Sequence, residues 1–217
     1  MDREPFDVTI IGAGMVGAVL ADTLAEYDLR TAVVEKNPQA GFGVSKASLS
    51  YIHLNHFNKP GTLRARVCMN VHDWFRRKSR ELGVEYRETD EIMLALNENH
   101  RREINTKKEW AEANGETTFR YISRDEVARR EPNATTEFIE AIVSSGHGMI
   151  YPPEWAFALV DHAVQNGVRP FFSTRVVDIE RGEDSLLHLR TAAGKNGSGG
   201  PEARDAGSGR GEIKSRY

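Results

Sequence analysis

Residues 7–36, DVTIIGAGMVGAVLADTLAEYDLRTAVVEK, decide the fold of this chain. Gly12, Gly14 and Gly17 stand there at G-x-G-x-x-G spacing. Alone, this six-residue pattern is a weak signal, because glycine is common and many turns use it. An ordinary βαβ unit with a glycine-rich turn would show the same pattern, so the flanking residues must distinguish the two interpretations.

The residues on both sides of the glycines supply that context. Residues 6–11 form an apolar, β-branched run of strand length before the turn. After the turn, apolar residues recur at helical spacing over residues 15–27, and residues 31–34 make a second apolar strand that ends at Glu35. Strand, glycine turn, helix, strand and an acid about twenty residues past the turn together form the dinucleotide-binding fingerprint.

Each part of this fingerprint has a physical role. Gly12 permits a sharp turn, Gly14 allows the backbone to approach a pyrophosphate, and Gly17 together with Ala21 lets the helix pack closely on the strand. The helix N-terminus offers unpaired N–H groups and the positive end of the helix dipole to the phosphates. Glu35 can accept hydrogen bonds from ribose hydroxyls, and we assign Lys36 to the same site. The predicted cofactor site at the turn consists of Gly12, Gly14, Gly17, Glu35 and Lys36.

Composition limits the classes of protein to which the chain can belong. Its 217 residues suffice for one large domain or one and a half ordinary ones, and its 39% of hydrophobic residues support a packed core. No apolar run approaches the ~20 residues of a membrane span, and the charged start does not look like a secretory signal. The net charge of −3 argues against a nucleic-acid partner.

Cysteine usage favours a reducing compartment. Cys68 is the only cysteine, which excludes an intrachain disulfide and a cysteine-based metal or iron–sulfur site. We therefore predict no metal site and no transmembrane segment. The expected location is the cytoplasm, with the protein either free or peripheral to the inner face of the membrane.

Residues 37–61 do not continue the alternation of helix and strand that a nicotinamide-type Rossmann domain would show. They are irregular and include the small and polar residues GFGVSKASLS. Loops of this length inside a compact domain are usually functional. The loop therefore favours a flavin protein, in which it would line the phosphates and the ring, over a simple NAD dehydrogenase.

A long helix is predicted to follow Pro60 and Gly61 and to end at Gly83. Its apolar face would contain Leu63, Val67, Val71, Trp74, Phe75 and Leu82. The opposite face carries a basic run, which consists of Arg76, Arg77, Lys78 and Arg80. We predict a solvated helix face for this run, with an anion-binding site as the alternative.

The rest of the chain alternates helices with strands and then ends in hairpin-like strands. Helices are predicted over residues 98–114, from the capping box at 123–126, and within 148–167. Strands are predicted within residues 84–96, as a pair or as one bent strand, and at 117–122, 169–172, 175–180, 186–191 and 212–217. Residues 194–211 hold seven of the 19 glycines and are predicted to be a flexible loop. This order indicates an α/β domain with an α+β excursion.

Seven stretches along nearly the whole chain resemble the N-terminal half of the FAD-dependent oxidoreductases of the D-amino-acid-oxidase superfamily. In order, they are DVTIIGAGMVGAVLADTLAEYDL, SKASLSYIH, KPGTLRARV, ELGVEYRET, ISRDEVARREPNA, GMIYPPEWAFALVDHAVQNGV and STRVVDIERGED. The first stretch is generic to many flavoproteins, whereas KPGTLRARV together with REPNA is far more specific. The nearest branch contains the anaerobic-type glycerol-3-phosphate dehydrogenases and the L-2-hydroxyglutarate oxidases.

The resemblance implies an α/β fold: a Rossmann-like FAD-binding domain of the glutathione-reductase type with an inserted α+β substrate-domain segment. The FAD-binding domain would comprise residues 1–82 and 152–193, and the substrate-domain excursion residues 83–151. Residues 194–217 would form a flexible glycine-rich loop and a terminal strand. In the family, residues like GEIKSRY lead into a further half that covers the cofactor and supplies most of the substrate pocket. The resemblance therefore implies that the C-terminal half is missing.

The same resemblance implies FAD as the cofactor and a small-molecule substrate. The expected reaction oxidises a secondary alcohol, glycerol 3-phosphate or a 2-hydroxy acid, by hydride transfer to flavin. Two alternatives stay open: an amine or amino-acid oxidase of the same superfamily, and a truncated FAD-binding fragment or subunit without activity of its own. The expected partner is an electron acceptor or the missing C-terminal half.

Further site residues follow from matching positions in the family. Ser45 and Ser48 match loop serines that would meet the pyrophosphate, although ordinary polar loop residues would look the same. Val176 matches the position whose backbone faces the adenine. His53 is the best candidate for a residue beside the reactive edge of the flavin, where an imidazole can take the hydroxyl proton; a hydrogen-bonded structural histidine is the alternative. His56 is a weaker candidate for the same role.

The chain departs from the family directly after the candidate base. The family has a glycine-containing HAG step where this chain has His53, Leu54 and Asn55. A glycine would let the backbone lie close to the flavin ring, and these side chains are bulkier. Arg64 and Arg66 are candidates to attract an anionic substrate, although arginines on a helix surface usually face water.

Overall fold

A computed structural model describes residues 4–194 and 211–217. The chain divides into two compact units: Met1–Leu49 with Tyr151–Tyr217 forms the first unit, and Ser50–Ile150 forms the second unit. The predicted domain boundary at residue 82 falls inside the second unit, and the assignment of a function to each predicted domain stays a prediction. The glycine-rich segment that we expect to be flexible lies outside the described residues, except for its two end residues.

The described residues form strands and helices that alternate as an α/β protein requires, which confirms the predicted fold class. The strands are β1 (Val8–Ile11), β2 (Thr31–Val34), β3 (Tyr51–Ile52), β4 (Arg87–Ala95), β5 (Arg120–Tyr121), β6 (Glu140–Met149), β7 (Arg169–Phe171), β8 (Thr174–Arg181), β9 (Leu187–Ala193) and β10 (Gly211–Ser215). The helices are α1 (Met15–Leu24), α2 (Leu63–Val67), α3 (Val71–Leu82), α4 (Glu98–Ala113), α5 (Arg124–Arg130) and α6 (Pro152–Gln165). Short 3₁₀ turns lie at Ser45–Ala47 and Asn55–Phe57. Among these described helices, none is both long and apolar enough to cross a membrane.

A parallel sheet forms the centre of the first unit. Its strand order is β1, β2, β7, with β2 in the middle and all four residues of β2 buried. A parallel strand that is covered on both faces is expected to be apolar throughout, as the run of residues 31–34 is. Helix α1 connects β1 to β2 and completes the βαβ unit that the glycine motif predicts, so this prediction is confirmed.

Helices α1 and α6 pack together through small residues on α1. Ala18 and Ala21 of α1 are fully buried, as is Trp155 of α6. The larger apolar residues that gave α1 its helical spacing, such as Val16 and Leu20, are 78% and 48% exposed. The helix and the close packing at Gly17 and Ala21 are therefore correctly predicted, but Val16 and Leu20 lie outside the packed face.

Strands β8, β9 and β10 form an antiparallel meander in the first unit, close to the predicted strand positions. The N–H of Thr174 donates to the carbonyl oxygen of Glu35 at 2.9 Å, so β8 starts beside the end of β2. The meander shares one hydrophobic core with the parallel sheet, formed by Phe6, Ala32, Val34, Leu189 and Ile213.

The second unit is organised by β6, which pairs antiparallel with β3, β4 and β5. This strand was not predicted, because its second half contains SSGHG, and serines and glycines are typical of turns. The structure shows why a strand carries Gly148: a Cβ there would lie 2.4 Å from the ring of Tyr86. Residues 84–96 contain a single irregular strand, β4, rather than a pair.

A β-bulge interrupts the pairing of β4 with β6. Thr89 pairs with His147 and Asp90 pairs with Ser145, so Gly146 is the extra residue. Its φ of +96° lies in the left-handed region that favours glycine. Bulges change the direction of neighbouring side chains. This bulge therefore determines how the side chain of His147 leaves the strand.

The single long helix that we predicted after the loop is two helices, α2 and α3. Asn70 stands between them with a φ of +61°, which a continuous helix does not allow. Leu63 and Val67, which belong to the predicted apolar face, are 66% and 67% exposed. Lys78, which belongs to the predicted solvated face, is buried with its Nζ 3.1 Å from Glu81. The prediction is therefore wrong for the helix continuity and for these three side chains.

The core of the second unit holds the segment that follows β3. The buried residues of this core are Leu54, Ala95, Ile104, Ala111, Phe119 and Ile142. Helix α4 contributes two of them and packs against β4. At the start of α5, Oγ of Ser123 accepts the N–H of Glu126 at 3.2 Å, which confirms the predicted N-cap.

Candidate functional site

The glycine turn between β1 and α1 has the conformation that the motif predicts. Gly12 has a φ of +99°, at which a side chain would be strained. A Cβ on Gly17 would lie 1.9 Å from the carbonyl oxygen of Gly12, so only glycine lets α1 approach the turn this closely. Gly14 is the N-cap of α1, and a Cβ there would lie 3.1 Å from Oγ of Ser45. The turn is therefore lined by main chain.

Glu35 lies at the carboxyl end of β2, with only 7% of its surface exposed. Its Oε2 accepts a hydrogen bond of 2.8 Å from the N–H of Ala13, inside the glycine turn. Its Oε1 accepts the backbone N–H and the side-chain amide of Asn37 at 2.8 Å and 2.6 Å. A carboxylate has about four acceptor positions, so these three donors leave room for another, such as a hydroxyl. The structure therefore holds this carboxylate at the turn with spare acceptor capacity.

The loop after β2 folds back onto the same turn. Oγ of Ser45 accepts the N–H of Met15 at 3.0 Å, at the N-terminus of α1. The N–H of Gly41 donates to the carbonyl oxygen of Ala13 at 2.8 Å. Gly41 has no room for a side chain, because a Cβ would lie 2.8 Å from Cα of Pro153. The long loop thus places a serine hydroxyl where the motif predicts phosphate.

These residues fit the adenosine diphosphate part of a dinucleotide. The first turn of α1, all of it described, contains no acidic residue, so the positive end of the helix dipole is not neutralised there. Gly14 has no side chain that would block the space at the start of α1. Ser45 contributes a hydroxyl at the border of this space, and Glu35 contributes a carboxylate. The donor and acceptor types are those that a pyrophosphate and a ribose need.

The remaining predicted cofactor residues lie in the same unit. Lys36 follows Glu35 and is exposed. Ser48 ends the 3₁₀ turn, where its N–H donates to the carbonyl oxygen of Ser45 at 3.3 Å. Val176 lies on β8 and packs against the core shared with the parallel sheet. Their roles in binding stay predictions.

His53 lies in the second unit, between β3 and the second 3₁₀ turn. Its side chain is 44% exposed, and its ring packs edge-on against Tyr51 and Phe57 with centroid distances of 4.7 Å and 4.5 Å. Burial lowers the pKa of His53 below its ordinary value, and this outweighs the opposite effect of Glu91. His53 is therefore a neutral imidazole at neutral pH, and it is accessible to a small molecule.

Three imidazoles surround the carboxylate of Glu91. Nε2 of His56 and Nε2 of His147 lie 3.1 Å and 3.5 Å from Oε2, and Nδ1 of His53 lies 3.8 Å from Oε1. Burial on its own would raise the pKa of the Glu91 carboxyl, but His56, His147 and His53 together hold that pKa below its ordinary value. The negative charge favours a proton on Nδ1 of His53, which leaves Nε2 as the basic nitrogen.

His56 is fully buried, which separates it from His53. Among the described residues, neither of its ring nitrogens has a hydrogen-bond partner, and Oε2 of Glu91 has none either. The 3.1 Å separation of the two side chains is thus an ion-pair distance without hydrogen-bond angles. An imidazole with no exposed surface cannot contact a substrate, and this favours His53 over His56 as the base.

The same cluster resembles a metal site in composition but not in its hydrogen bonding. His53, Glu91 and His147 each offer one ligand atom, and these atoms lie within 4.8 Å of one another. The N–H of Leu54, however, donates to Nδ1 of His147 at 3.3 Å, so the ring proton of His147 resides on Nε2. A metal ion facing Glu91 would require that nitrogen to be deprotonated. The hydrogen bonds therefore oppose metal binding, and the absence of a metal site stays a prediction.

The other sequence candidates and departures have clear positions. Arg64 and Arg66 are exposed on the short helix α2, and their attraction of a substrate stays a prediction. Leu54 is buried in the core of the second unit. Nδ2 of Asn55 donates to the carbonyl oxygen of Ala65 at 2.8 Å. The bulky side chains that replace the family's glycine step are therefore directed into the second unit.

Sequence reasoning missed residues in both units. Asn37 and Gly41 support the glycine turn, and the position of Asn37 two residues after Glu35 is a signal that could have indicated it. Glu91 and His147 come from β4 and β6, far from His53 in sequence. Nothing local marks them, because only the pairing of two strands around a bulge brings them together.

Comparison with known proteins adds independent findings. Residues 7–203 match the sequence profile of the FAD dependent oxidoreductase family, DAO. A glycerol 3-phosphate dehydrogenase from Caloramator mitchellensis is 34% identical over 176 residues, which are 81% of this chain and 37% of that protein. A mitochondrial L-2-hydroxyglutarate dehydrogenase from Nematostella vectensis is 25% identical over 193 residues, which are 88% of this chain and 42% of that protein.

Solved structures show the same fold. The L-alpha-glycerophosphate oxidase from Mycoplasma pneumoniae, solved with FAD bound, superposes with a TM-score of 0.83 at 23% identity. The match covers 99% of this chain and 53% of that one. The chain spans less than half the length of the two curated relatives that it matches.

Proposed function

This chain belongs to the FAD dependent oxidoreductase family, and on that basis we propose that it binds FAD at the glycine turn of its first unit. The N–H groups at the N-terminus of α1 and the hydroxyl of Ser45 would hold the pyrophosphate. The absence of a side chain on Gly14 would leave room for it. Glu35 would accept a ribose hydroxyl. The observation that carries this proposal is the 2.8 Å hydrogen bond that fixes Glu35 to the N–H of Ala13.

Lys36, Ser48 and Val176 complete the proposed cofactor site. Lys36 adjoins Glu35 and offers a positive charge. Ser48 is three residues after Ser45 and shares its 3₁₀ turn. Val176 would contribute backbone groups, because its side chain already packs in the core. These assignments rest on the family resemblance together with positions in the first unit.

The proposed reaction is the oxidation of a secondary alcohol, with glycerol 3-phosphate as the first substrate candidate and a 2-hydroxy acid as the second. The first is supported by the 34% identity to a glycerol 3-phosphate dehydrogenase over 81% of this chain. The second is supported by the 25% identity to an L-2-hydroxyglutarate dehydrogenase over 88% of this chain.

His53 is the proposed base. FAD, when bound, would supply the redox chemistry as the acceptor of the hydride that leaves the substrate carbon. Nε2 of His53 takes the hydroxyl proton, so the substrate O–H bond breaks and an N–H bond forms. Burial keeps His53 neutral and ready to accept this proton near pH 7. Glu91 then faces the resulting imidazolium with its negative charge.

Because the resemblance implies a further half that supplies most of the substrate pocket, the test is dye reduction by the FAD-loaded protein with that half supplied, and with glycerol 3-phosphate, a 2-hydroxy acid or an amino acid as substrate. We expect reduction with an alcohol substrate and a loss of roughly 10²–10⁴-fold in His53→Gln, the range of a general base. His100→Gln, on an exposed histidine of α4, is the matched control and should retain activity. Reduction with amino acids alone, or full activity in His53→Gln, would contradict the proposal.

A further inference from the structure

The peptide group that joins His53 to Leu54 is held from both sides by imidazoles of the second unit. Nε2 of His72 lies 3.1 Å from the carbonyl oxygen of His53. On the other side of the same peptide, the N–H of Leu54 donates to Nδ1 of His147 at 3.3 Å. Both the acceptor and the donor of this one peptide are therefore bound to histidine side chains.

The hydrogen-bond partners determine where each ring carries its proton. A carbonyl oxygen can only accept, so Nε2 of His72 must carry the hydrogen. Its Nδ1 then accepts the hydroxyl of Tyr86, 2.8 Å away. A backbone N–H can only donate, so Nδ1 of His147 must be unprotonated. Nε2 of His147 then carries the hydrogen and donates it to Oγ of Ser144 at 2.7 Å. Both histidines are thus neutral, with both ring nitrogens in use.

The surroundings favour these neutral forms. Burial lowers the pKa of His72, and burial lowers the pKa of His147 to about 4. Burial also raises the pKa of Tyr86, which keeps its hydroxyl available as a donor. Protonation of His147 would place a second hydrogen against the N–H of Leu54 and break that bond. The arrangement therefore depends on imidazoles that stay uncharged at neutral pH.

We propose that His72 and His147 are positioning residues that fix the His53–Leu54 peptide and thereby hold the ring of His53 in its half-buried place beside Glu91. The inference rests on the proposed role of His53 as the base and adds two residues that do not touch the substrate. A fixed peptide plane fixes the Cα–Cβ direction of His53. With that direction set, the ring stays 4.7 Å from the ring of Tyr51 between centroids, and its Nδ1 stays 3.8 Å from Oε1 of Glu91.

Matched substitutions separate this role from simple packing. An Asn side chain can place its amide oxygen where Nδ1 of a histidine lies, whereas Leu has similar size and no acceptor, so His147→Asn is paired with His147→Leu. A Gln side chain can place its amide nitrogen where Nε2 lies, whereas Met has similar length and no donor, so His72→Gln is paired with His72→Met. In each pair, only the first variant retains the hydrogen bond to the peptide.

The first readout is hydrogen exchange and ring protonation in the whole chain, followed by NMR. We expect that on both His72 and His147 Nε2 is protonated and Nδ1 is unprotonated at pH 7. The Leu54 amide should exchange on the order of five- to tenfold faster in His147→Leu than in His147→Asn, which is the effect of one net hydrogen bond. The amide of Val143, in the middle of β6, should be unaffected in both variants and reports on global unfolding.

The second readout is the titration of His53, which a purely structural role would leave unchanged. Burial is the main reason for the low pKa of His53, so freeing the peptide should let the ring move into water and raise that pKa. We expect this rise in His147→Leu and His72→Met, with wild-type behaviour in the Asn and Gln variants. Equal His53 titration in all four variants, equal Leu54 exchange in the His147 pair, or a protonated Nδ1 on His147 would overturn the inference.

These measurements need no substrate turnover. If His53→Gln retained full activity while the Leu54 exchange and the His53 titration behaved as expected, the proposed base would be wrong and the hydrogen-bond assignments would still hold. If His53→Gln lost activity as expected but the Leu54 exchange and the His53 titration did not differ within the pairs of variants, His53 would keep its proposed role and His72 and His147 would lose theirs.

Discussion

The backbone N–H of Ala13 donates a hydrogen bond of 2.8 Å to Oε2 of Glu35, across 22 residues of sequence. This contact joins the glycine turn to the carboxyl end of β2 without any ligand. The acidic residue of a dinucleotide fingerprint is usually considered for its contact with ribose. Here it also stabilises the turn, because it accepts three N–H hydrogen bonds from Ala13 and Asn37.

Glu35→Gln should weaken both the fold and cofactor binding. The amide replaces one acceptor oxygen with a donor, which would face an N–H of Ala13 or Asn37. We expect a loss of about 1–3 kcal/mol in the free energy of unfolding, since a buried hydrogen bond to the carboxylate is replaced by two N–H donors that face each other. FAD affinity should fall about tenfold with the loss of the charged acceptor. Urea unfolding and flavin titration measure the two effects.

Glu26→Gln is the matched control, because Glu26 is exposed on the same unit. Its unfolding free energy should stay within about 0.5 kcal/mol of the wild type. Equal stability of Glu35→Gln and Glu26→Gln would show that the three hydrogen bonds contribute nothing measurable.

The first unit could be predicted from the sequence because its determinants are local. Gly12, Gly14 and Gly17 lie within one turn, and Glu35 follows after one helix and one strand. The prediction for α1 was right for Ala21, which is buried, and wrong for Val16 and Leu20, which spacing alone assigned to the packed face, because packing against α6 requires small residues. Hydrophobic spacing indicates that a helix is present, but the shape of the neighbouring helix decides which side of it is covered.

Gly17→Ala and Gly14→Ala should differ sharply in stability. At position 17 the added Cβ would lie 1.9 Å from the carbonyl oxygen of Gly12, so α1 must shift. We expect a loss of about 1–3 kcal/mol, the usual cost of overpacking. At position 14 the nearest atom is the hydroxyl of Ser45 at 3.1 Å, and the loss should be below about 1 kcal/mol. Urea unfolding of both variants checks this order, and the opposite order would refute the packing role of Gly17.

Two site residues and the central strand of the second unit could not be predicted from the sequence. Glu91 and His147 reach His53 only because β4 pairs with β6 around the bulge at Gly146. The serines and glycines that build this bulge are the residues that made β6 look like a turn. The site and the strand were therefore missed for the same physical reason: a strand with an irregularity looks like a loop until its partner strand is known.

Acidification should destabilise the protein through His147. Burial lowers its folded pKa to about 4 from an ordinary value of 6.5. The neutral ring therefore contributes stability that is complete above about pH 6.5 and is lost as the pH falls towards 4, by roughly 2–3 kcal/mol. Glu91 contributes in the same direction at lower pH, because its folded pKa is also lowered. Urea unfolding at a series of pH values measures the loss.

His147→Asn isolates this effect, because asparagine does not titrate. Between pH 6.5 and pH 4 the unfolding free energy of this variant should fall less steeply than that of the wild type. Parallel curves for the two proteins would contradict the assignment of the acid loss to His147.

Glu91→Gln should lower the pKa of His53 further. The Glu91 carboxylate attracts the protonated ring, and this attraction opposes the effect of burial. Removing the charge leaves burial unopposed, so His53 should titrate at lower pH in an NMR titration. Glu88→Gln, at an exposed carboxylate that pairs with Arg76, is the control and should leave His53 unchanged. A rise in the His53 pKa of Glu91→Gln would show that Glu91 does not act on the ring by its charge.

The most direct test of the central claim is a flavin titration of the wild type, Gly14→Ala and Thr23→Ala. The claim is that the main chain at the start of α1 holds the diphosphate of FAD. We expect saturable binding by the wild type and by Thr23→Ala, which changes an exposed position on the same helix. Binding should be at least tenfold weaker in Gly14→Ala, whose Cβ would lie at the start of α1, 3.1 Å from Oγ of Ser45. Equal FAD affinity in Gly14→Ala and the wild type, or no saturable binding by the wild type, would contradict the account.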